Sequence, residues 1–145
     1  MSLPDLQIKH VGLEALPIVR TLNKTLFHET RVINRFDRRD LTILLAYRGS
    51  IPVGFKMGYG LDRKTFYSAK GGVLELHRRQ GIARDLLYAL MGYARKAGYQ
   101  SFAFDTFPNR HAGMTILGLI EGFRIVQTDF NNVYKDFRIR FEKRL

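Results

Sequence analysis

No cysteine occurs anywhere in the chain. That absence removes three kinds of chemistry at once: disulfide staples, thiolate metal sites and a cysteine nucleophile. It fits a reducing compartment, and no metal site is expected. Tryptophan is missing as well. Long apolar runs are missing too, none approaching the roughly 18–20 residues that span a bilayer. The start, Met1-Ser2-Leu3-Pro4-Asp5, lacks a basic segment leading into an apolar one, so no signal peptide is read there. A cytoplasmic location and no membrane partner are the expectations. Repeats, low-complexity stretches and Ser/Pro-rich linkers are also absent. With 145 residues, one domain over 1–145 is expected. A chain of this size buries roughly 70% of its unfolded surface and needs no staple.

Acidic residues are scarce. Asp and Glu number 13 against 24 Lys and Arg, a formal charge of +11. Such a field draws polyanions, whether nucleic acid, anionic membrane or nucleotide phosphates. The basic residues are scattered, however. The densest groups are Arg35, Arg38 and Arg39; Arg78, Arg79 and Arg84; and the stretch from Lys135 to Arg144. None is a long basic block, which favours solubility and nucleotide binding over nucleic acid.

Periodicity organises what is present. Leu6–Ile8 reads as a short strand. Apolar residues at Ala15, Ile18, Val19, Leu22 and Leu26 have helical spacing, and Pro17 places the helix start near Leu16. From His28 to Asp40 the chain is polar and basic, a loop with one helical turn at most. Leu41–Tyr47 and Ile51–Tyr59 form a hairpin around Arg48-Gly49-Ser50. Phe66–Leu76 is a third long strand, and Gly71-Gly72 inside it implies a bulge or the close approach of another backbone. Ala83–Ala97 is the clearest helix, stopped by Gly98. Ser101–Thr106 follows as a strand parallel to the one before that helix. Pro108–Glu121 reads as a further helix, and Arg124–Asp129 and Val133–Phe141 as two final strands. Val133–Phe141 is expected at a sheet edge, where it offers a route to a homodimer or is protected by its own Lys and Arg. The order describes a mixed α/β domain, with ligand expected where the central strand–helix–strand unit begins its helix.

At that point stands Arg78-Arg79-Gln80-Gly81-Ile82-Ala83. The first N–H groups of a helix have no internal partner, and the helix dipole favours an anion there. Gly81 removes the side chain that would block backbone approach. Ala83 keeps the next contact small, and Arg78, Arg79 and Arg84 add charge. The pattern alone is a weak motif. Its place after an apolar strand and before an amphipathic helix strengthens it. No Gly-Lys-Ser/Thr follows, so it is not a P-loop, and it lacks the spaced glycines of a dinucleotide fingerprint.

The run from Val73 to Leu87, Val-Leu-Glu-Leu-His-Arg-Arg-Gln-Gly-Ile-Ala-Arg-Asp-Leu-Leu, resembles the acyl-CoA motif of the GNAT N-acetyltransferases. The resemblance continues through Lys96-Ala97-Gly98-Tyr99, Asn109 and the closing Glu121-Gly122-Phe123. It covers nearly the whole chain and is most specific from Gly71 to Phe123. It implies a GNAT-type mixed α/β fold, a central twisted sheet of six to seven strands with about four helices. It also implies transfer of an acetyl group from acetyl-CoA to a primary amine of a small molecule, peptide or protein. By the same resemblance, backbone groups at Val73 and Leu74 meet the pantetheine arm. Arg78, Arg79, Gln80, Gly81, Ile82, Ala83 and Arg84 hold the pyrophosphate, and Asn109 touches the pantetheine region.

Acetyl transfer to an amine needs a proton acceptor, stabilisation of the thioester oxygen and a route for the thiolate to leave. A backbone N–H at a bulge near Val73 is a candidate for the oxygen. Glu75, directly or through water, and Glu29 are candidate bases, with His28 and His77 also in view. Glu75 has a second reading as an exposed carboxylate paired with Arg78. Family members often carry a tyrosine four residues before the Gly-Phe pair, and here that position is Gly118. Tyr134 and Tyr67 are then the candidate acids, or the thiolate leaves unassisted. Phe27-His28-Glu29-Thr30-Arg31 borders the acceptor by position. The scarcity of acid disfavours polyamines and favours an anionic small molecule or a peptide N-terminus. Two rival readings stand beside this one: a CoA-binding GNAT-like domain without catalysis, and a basic nucleic-acid-binding module. The second is weakened because aromatics such as Phe102, Phe104 and Phe123 fall at core positions.

Overall fold

The computed structural model describes residues 5–145. Met1–Pro4, on which part of the N-terminal reading rests, lie outside the described residues. Seven strands form one sheet: β1 (Leu6–Val11), β2 (Thr42–Arg48), β3 (Ile51–Gly60), β4 (Thr65–Val73), β5 (Ser101–Thr106), β6 (Arg124–Asn131) and β7 (Asp136–Arg144). Their spatial order is β1-β2-β3-β4-β5-β7-β6. Three α-helices accompany them among the described residues, α1 (Leu16–Phe27), α2 (Ile82–Lys96) and α3 (Ala112–Ile120), rather than about four.

Both faces of the sheet's middle are covered. One face packs Val19 and Leu22 of α1 onto Ile43, Leu45, Phe55 and Met57. The other packs the apolar stripe of α2 onto Leu44, Val53, Phe66 and Phe102. Five consecutive residues of β2, Thr42 to Ala46, are buried as a result. Continuous burial is what a strand covered on both faces requires. The aromatics Phe102, Phe104, Phe123 and Phe141 stack within this second core. They are thus unavailable for base stacking.

Several boundaries differ from the sequence reading, each for a local reason. The β4 strand ends at Val73 instead of Leu76. Leu74 donates its N–H to Val53 at 2.8 Å, and bonds from His77 to Leu74 and from Arg78 to Glu75 then wind a tight turn over Glu75–His77. Helix α3 starts at Ala112, not Pro108. Arg110 and His111 both donate to the Phe107 carbonyl, and His111 sits at φ −141°, which breaks any continuation from Pro108. The last hairpin is also displaced, with β7 running from Asp136. Its loop is held by Asn131, whose Oδ1 accepts from the N–H groups of Val133 and Tyr134. That strand is not at an edge: it pairs with β5 on one side and β6 on the other. The free edge belongs to β6, so the expected dimer contact through Val133–Phe141 is corrected.

Candidate active site

Strands β4 and β5 run parallel, as the crossover through α2 demands, but they pair only from Thr65–Ser101 to Ser68–Phe104. Beyond that point β4 keeps its partner β3 through Val73, while β5 stays with β7. The sheet therefore splits. Alternate backbone groups of Ala69–Val73 face the gap without a ladder partner, as those of an edge strand do. The register slip against β3 lies at Ala69, since Met57 faces Lys70 and Gly58 faces Ser68. The expected bulge is thus four residues earlier than Val73. Gly71 and Gly72 serve close approach instead: a Cβ at Gly71 would lie 2.8 Å from the Phe55 carbonyl, and one at Gly72 2.9 Å from Leu26.

A cleft of about 700 Å³ opens at the split. Its walls come from the loop after α1, from β4, and from the segments flanking β5 and β7. Asn23 of α1 is fully buried and donates its amide to the carbonyls of Glu29 at 3.0 Å and Arg31 at 3.1 Å, which pins that loop. Glu29 reaches the cleft, but Lys70 holds it in an ion pair of 2.6 Å. Lys70 also donates to the Arg31 carbonyl and lies over the Phe27 ring. His28 lines the same wall at the αL end of α1. Across the cleft stand Arg110, with its guanidinium over the Tyr134 ring, and His111, whose ring meets Phe27 edge-on. Burial first, then the charges of Arg110 and Arg78, holds the His111 imidazole below its ordinary pKa and favours its neutral form.

Where the strands part, Asp105 fastens the seam. It accepts from Arg140 through Nε at 2.8 Å and Nη2 at 2.9 Å, and from the Tyr67 hydroxyl at 2.7 Å. Its side chain is 7% exposed. Burial first, then the Asp105 charge, pushes the Tyr67 phenol above its usual pKa. Tyr67 is therefore a weak acid that keeps its proton and donates it in a hydrogen bond to Asp105. Asp105→Ala would leave Arg140 partly buried without its counter-charge. It is expected to cost about 3–5 kcal/mol, read from the midpoint of urea unfolding; a loss under ~1 kcal/mol would show the pair to be solvated.

The turn before α2 is built as its sequence requires. Gly81 is the N-cap of α2 at φ +80°, in the left-handed region, and Arg79 before it has φ +63°. No side chain caps the helix, and its first internal bond runs from Asp85 to the Gly81 carbonyl. The N–H groups of Ile82, Ala83 and Arg84 are left for an anion. Arg78 turns back to donate to the Val73 carbonyl at 2.9 Å, and Gln80 accepts from Arg48 at 2.9 Å. Since Leu74 N–H is also engaged, the gap-facing backbone for a pantetheine arm lies between Ala69 and Val73, upstream of Leu74. This arrangement fits acetyl-CoA: an uncapped helix start for the pyrophosphate, then an open strand edge leading into the cleft.

Other sequence candidates are placed elsewhere. Glu75 and His77 lie on the turn after β4, away from the cleft lining, and the Arg78 side chain bonds the Val73 carbonyl instead of the Glu75 carboxylate. Asn109 turns its amide to Asp136 at 3.1 Å. Tyr134 stands on the rim against Phe107. Gly118 faces the core, where an added Cβ would meet Phe104 at 3.0 Å, so no side chain projects from it into the cleft. Sequence reasoning missed Lys56, Lys70, Arg110 and His111. A lysine amid the apolar Val53–Met57 run was the one available signal.

A family model described as Acetyltransferase (GNAT) family matches residues 14–114. Among curated proteins, none matches the sequence. Solved structures share the fold at low identity. Thermoplasma volcanium Ard1 aligns at TM-score 0.81 and 16% identity, over 97% of each chain. The Escherichia coli ribosomal-protein-S18-alanine N-acetyltransferase aligns at 0.81 and 13%, over 97% of this chain and 94% of that one. Arabidopsis thaliana Naa50, in complex with the bisubstrate analogue CoA-Ac-MVNAL, aligns at 0.78 and 22%, over 95% and 97%. The split sheet, the uncapped α2 and a family model spanning most of the length agree: this chain belongs to the GNAT acetyltransferase family.

Proposed function

We propose that the protein transfers an acetyl group from acetyl-CoA to a primary amine that also carries a negative charge, such as an acidic small molecule or the N-terminal residue of an acidic peptide. One observation carries this reading: the split between β4 and β5 joins the phosphate turn to a cleft whose carboxylates are both engaged. Glu29 is paired with Lys70 and Asp105 with Arg140, while Arg31 and Arg110 line the same space. A polycation finds no free acid there, and an anion finds guanidinium groups. Two structural relatives suit the peptide part of this choice: one is named for ribosomal protein S18 alanine, and another holds a CoA–peptide analogue.

In this scheme the N–H groups of Ile82–Arg84, with Arg79 and Arg84, hold the pyrophosphate. The edge of Ala69–Val73 aligns the pantetheine arm, and Phe27 and Arg110 flank the acceptor. His111, neutral and facing the cleft, takes the ammonium proton. The amine then attacks the thioester carbonyl, the C–S bond breaks, and the proton released by the nitrogen passes to the departing thiolate or to water. A thiol of pKa near ~8.5 leaves readily as a thiolate, so the absent tyrosine at Gly118 need not be replaced. Much of the acceleration comes from holding the two reactants together.

The first test is calorimetric titration with acetyl-CoA, followed by release of free thiol on an acceptor panel. Micromolar binding and turnover on acidic peptides or amino acids are expected. Preference for spermidine would refute the acceptor assignment, and binding without turnover on any amine would favour a non-catalytic CoA-binding role.

A further inference from the structure

The side chain of Lys56 has no place in the scheme above. It lies mid-strand on β3, opposite Gly71, and is only 6% exposed. No hydrogen bond or ion pair among the described residues engages its amine. A side chain at position 71 would crowd the Lys56 stem, with a Cβ 3.1 Å from its Cγ. The glycine therefore lets the lysine run beneath β4 into the split. There it lines a cavity of about 20 Å³ whose other walls include Val73, Ala83, Leu86 and Met114. Lys56, Gly71 and Met114 also line the large cleft, so the cavity opens into it.

An unpaired buried ammonium is costly, and a chain retains one where a ligand supplies the counter-charge. The location says which ligand. The cavity walls are the end of β4 and the first half of α2, the same elements that the proposed function assigns to the acyl donor. The acceptor wall, with Arg31 and Arg110, lies on the far side of the split. The carboxylates that line the cleft are already committed, Glu29 to Lys70 and Asp105 to Arg140. Among the described residues nothing neutralises Lys56.

Resting on the acyl-CoA reading, we infer that Lys56 recognises a carboxylate at the end of the acyl group, so that the preferred donor is the CoA thioester of a short dicarboxylic acid instead of acetyl-CoA. The carboxylate lies against the Lys56 ammonium while the thioester stays beside the Ala69–Val73 edge. The reaction is otherwise unchanged: the acceptor nitrogen bonds to the thioester carbon, the C–S bond breaks, and the product is an amide with a free acid.

Binding alone tests this, with no need of the acceptor. CoA, acetyl-CoA, malonyl-CoA and succinyl-CoA are titrated into the full chain and into Lys56→Met. At least one carboxylated donor is expected to bind about 10-fold tighter than acetyl-CoA, the scale of one charge-assisted hydrogen bond. That advantage disappears in Lys56→Met and persists in Lys56→Arg. Burial alone depresses the amine to about 8, and a carboxylate partner would raise it again. Binding of that donor at pH 8 is therefore accompanied by uptake of about half a proton, read by repeating the titration in buffers of different ionisation enthalpy. Binding of CoA and acetyl-CoA with no gain for either carboxylated donor overturns this inference and leaves the acyltransferase reading intact. Failure of all four to bind overturns both.

Discussion

Gly81→Glu is expected to weaken acetyl-CoA binding by at least 100-fold, to the edge of what calorimetry detects. Two effects combine. A residue with a Cβ at φ +80° is strained by about 1–2 kcal/mol relative to glycine, and relief of that strain would turn the N–H groups of α2 away from the phosphates. The new carboxylate would also stand within a few ångströms of a diphosphate. At an effective dielectric near 20, each like-charge contact at ~5 Å costs about 3 kcal/mol. Gly81→Ala separates the two effects. A Cβ at this position meets only the Arg84 guanidinium, at 3.4 Å, so the alanine variant carries the strain without the charge. It should lose about 1–2 kcal/mol of stability and keep its affinity to within about tenfold. Near-native binding by Gly81→Glu would mean that the phosphates do not lie at this turn.

The second large effect is on stability, and its sign is opposite. Lys56→Met is expected to stabilise the protein at pH 7. Burial lowers the folded-state pKa of the amine from 10.5 to about 8. Below pH 8 both folded and unfolded chains hold the proton, and the folded chain bears the full cost of the buried charge. Between pH 8 and 10.5 the unfolded chain binds more protons than the folded one, so stability rises with pH. A shift of this size corresponds to roughly 2–4 kcal/mol. The methionine variant should therefore exceed the parent by about that amount at pH 7, and the gap should narrow toward pH 10. Paired urea titrations at the two pH values read it directly. A gap that is absent, or that does not change with pH, would show that the amine is already solvated or paired. A protein carrying such a burden in its resting state is organised for what binds, not for its own stability.

The turn at Gly81 and the helix after it were legible because their cause is local. Helical spacing, a glycine before the helix and arginines around it lie within a dozen residues, and α2 begins one residue from where they place it. Parallel β4 and β5 followed from the length of the crossover. The cleft was not legible, because its contacts are long-range. Glu29 could be named from the sequence, but its partner Lys70 lies 41 residues on. Asn109 could be named too, but the turn at Phe107–His111 and the Asp136 acceptor across the final hairpin redirect its amide. Lys56 drew no reading from the sequence, because the residues of α2 and α3 that close over its face lie far along the chain. Gly118 registered as a missing tyrosine, when its position is filled by the rings of Phe104 and Phe141.

The strand order also sets a timetable for synthesis. The outer edge of β5 is covered by β7, and β6 is added beyond β7. Thirty residues separate Thr106 from Asp136, and a ribosome moving at about 5–20 residues per second needs roughly two to six seconds to make them. During that interval the strands up to β5 can assemble while one flank of β5 has no neighbour, and Asp105 waits for the arginine that will neutralise it. The turn at Gly81 and the start of α2 are thus made before the part of the cleft wall that holds Asn131, Val133, Tyr134 and Arg138.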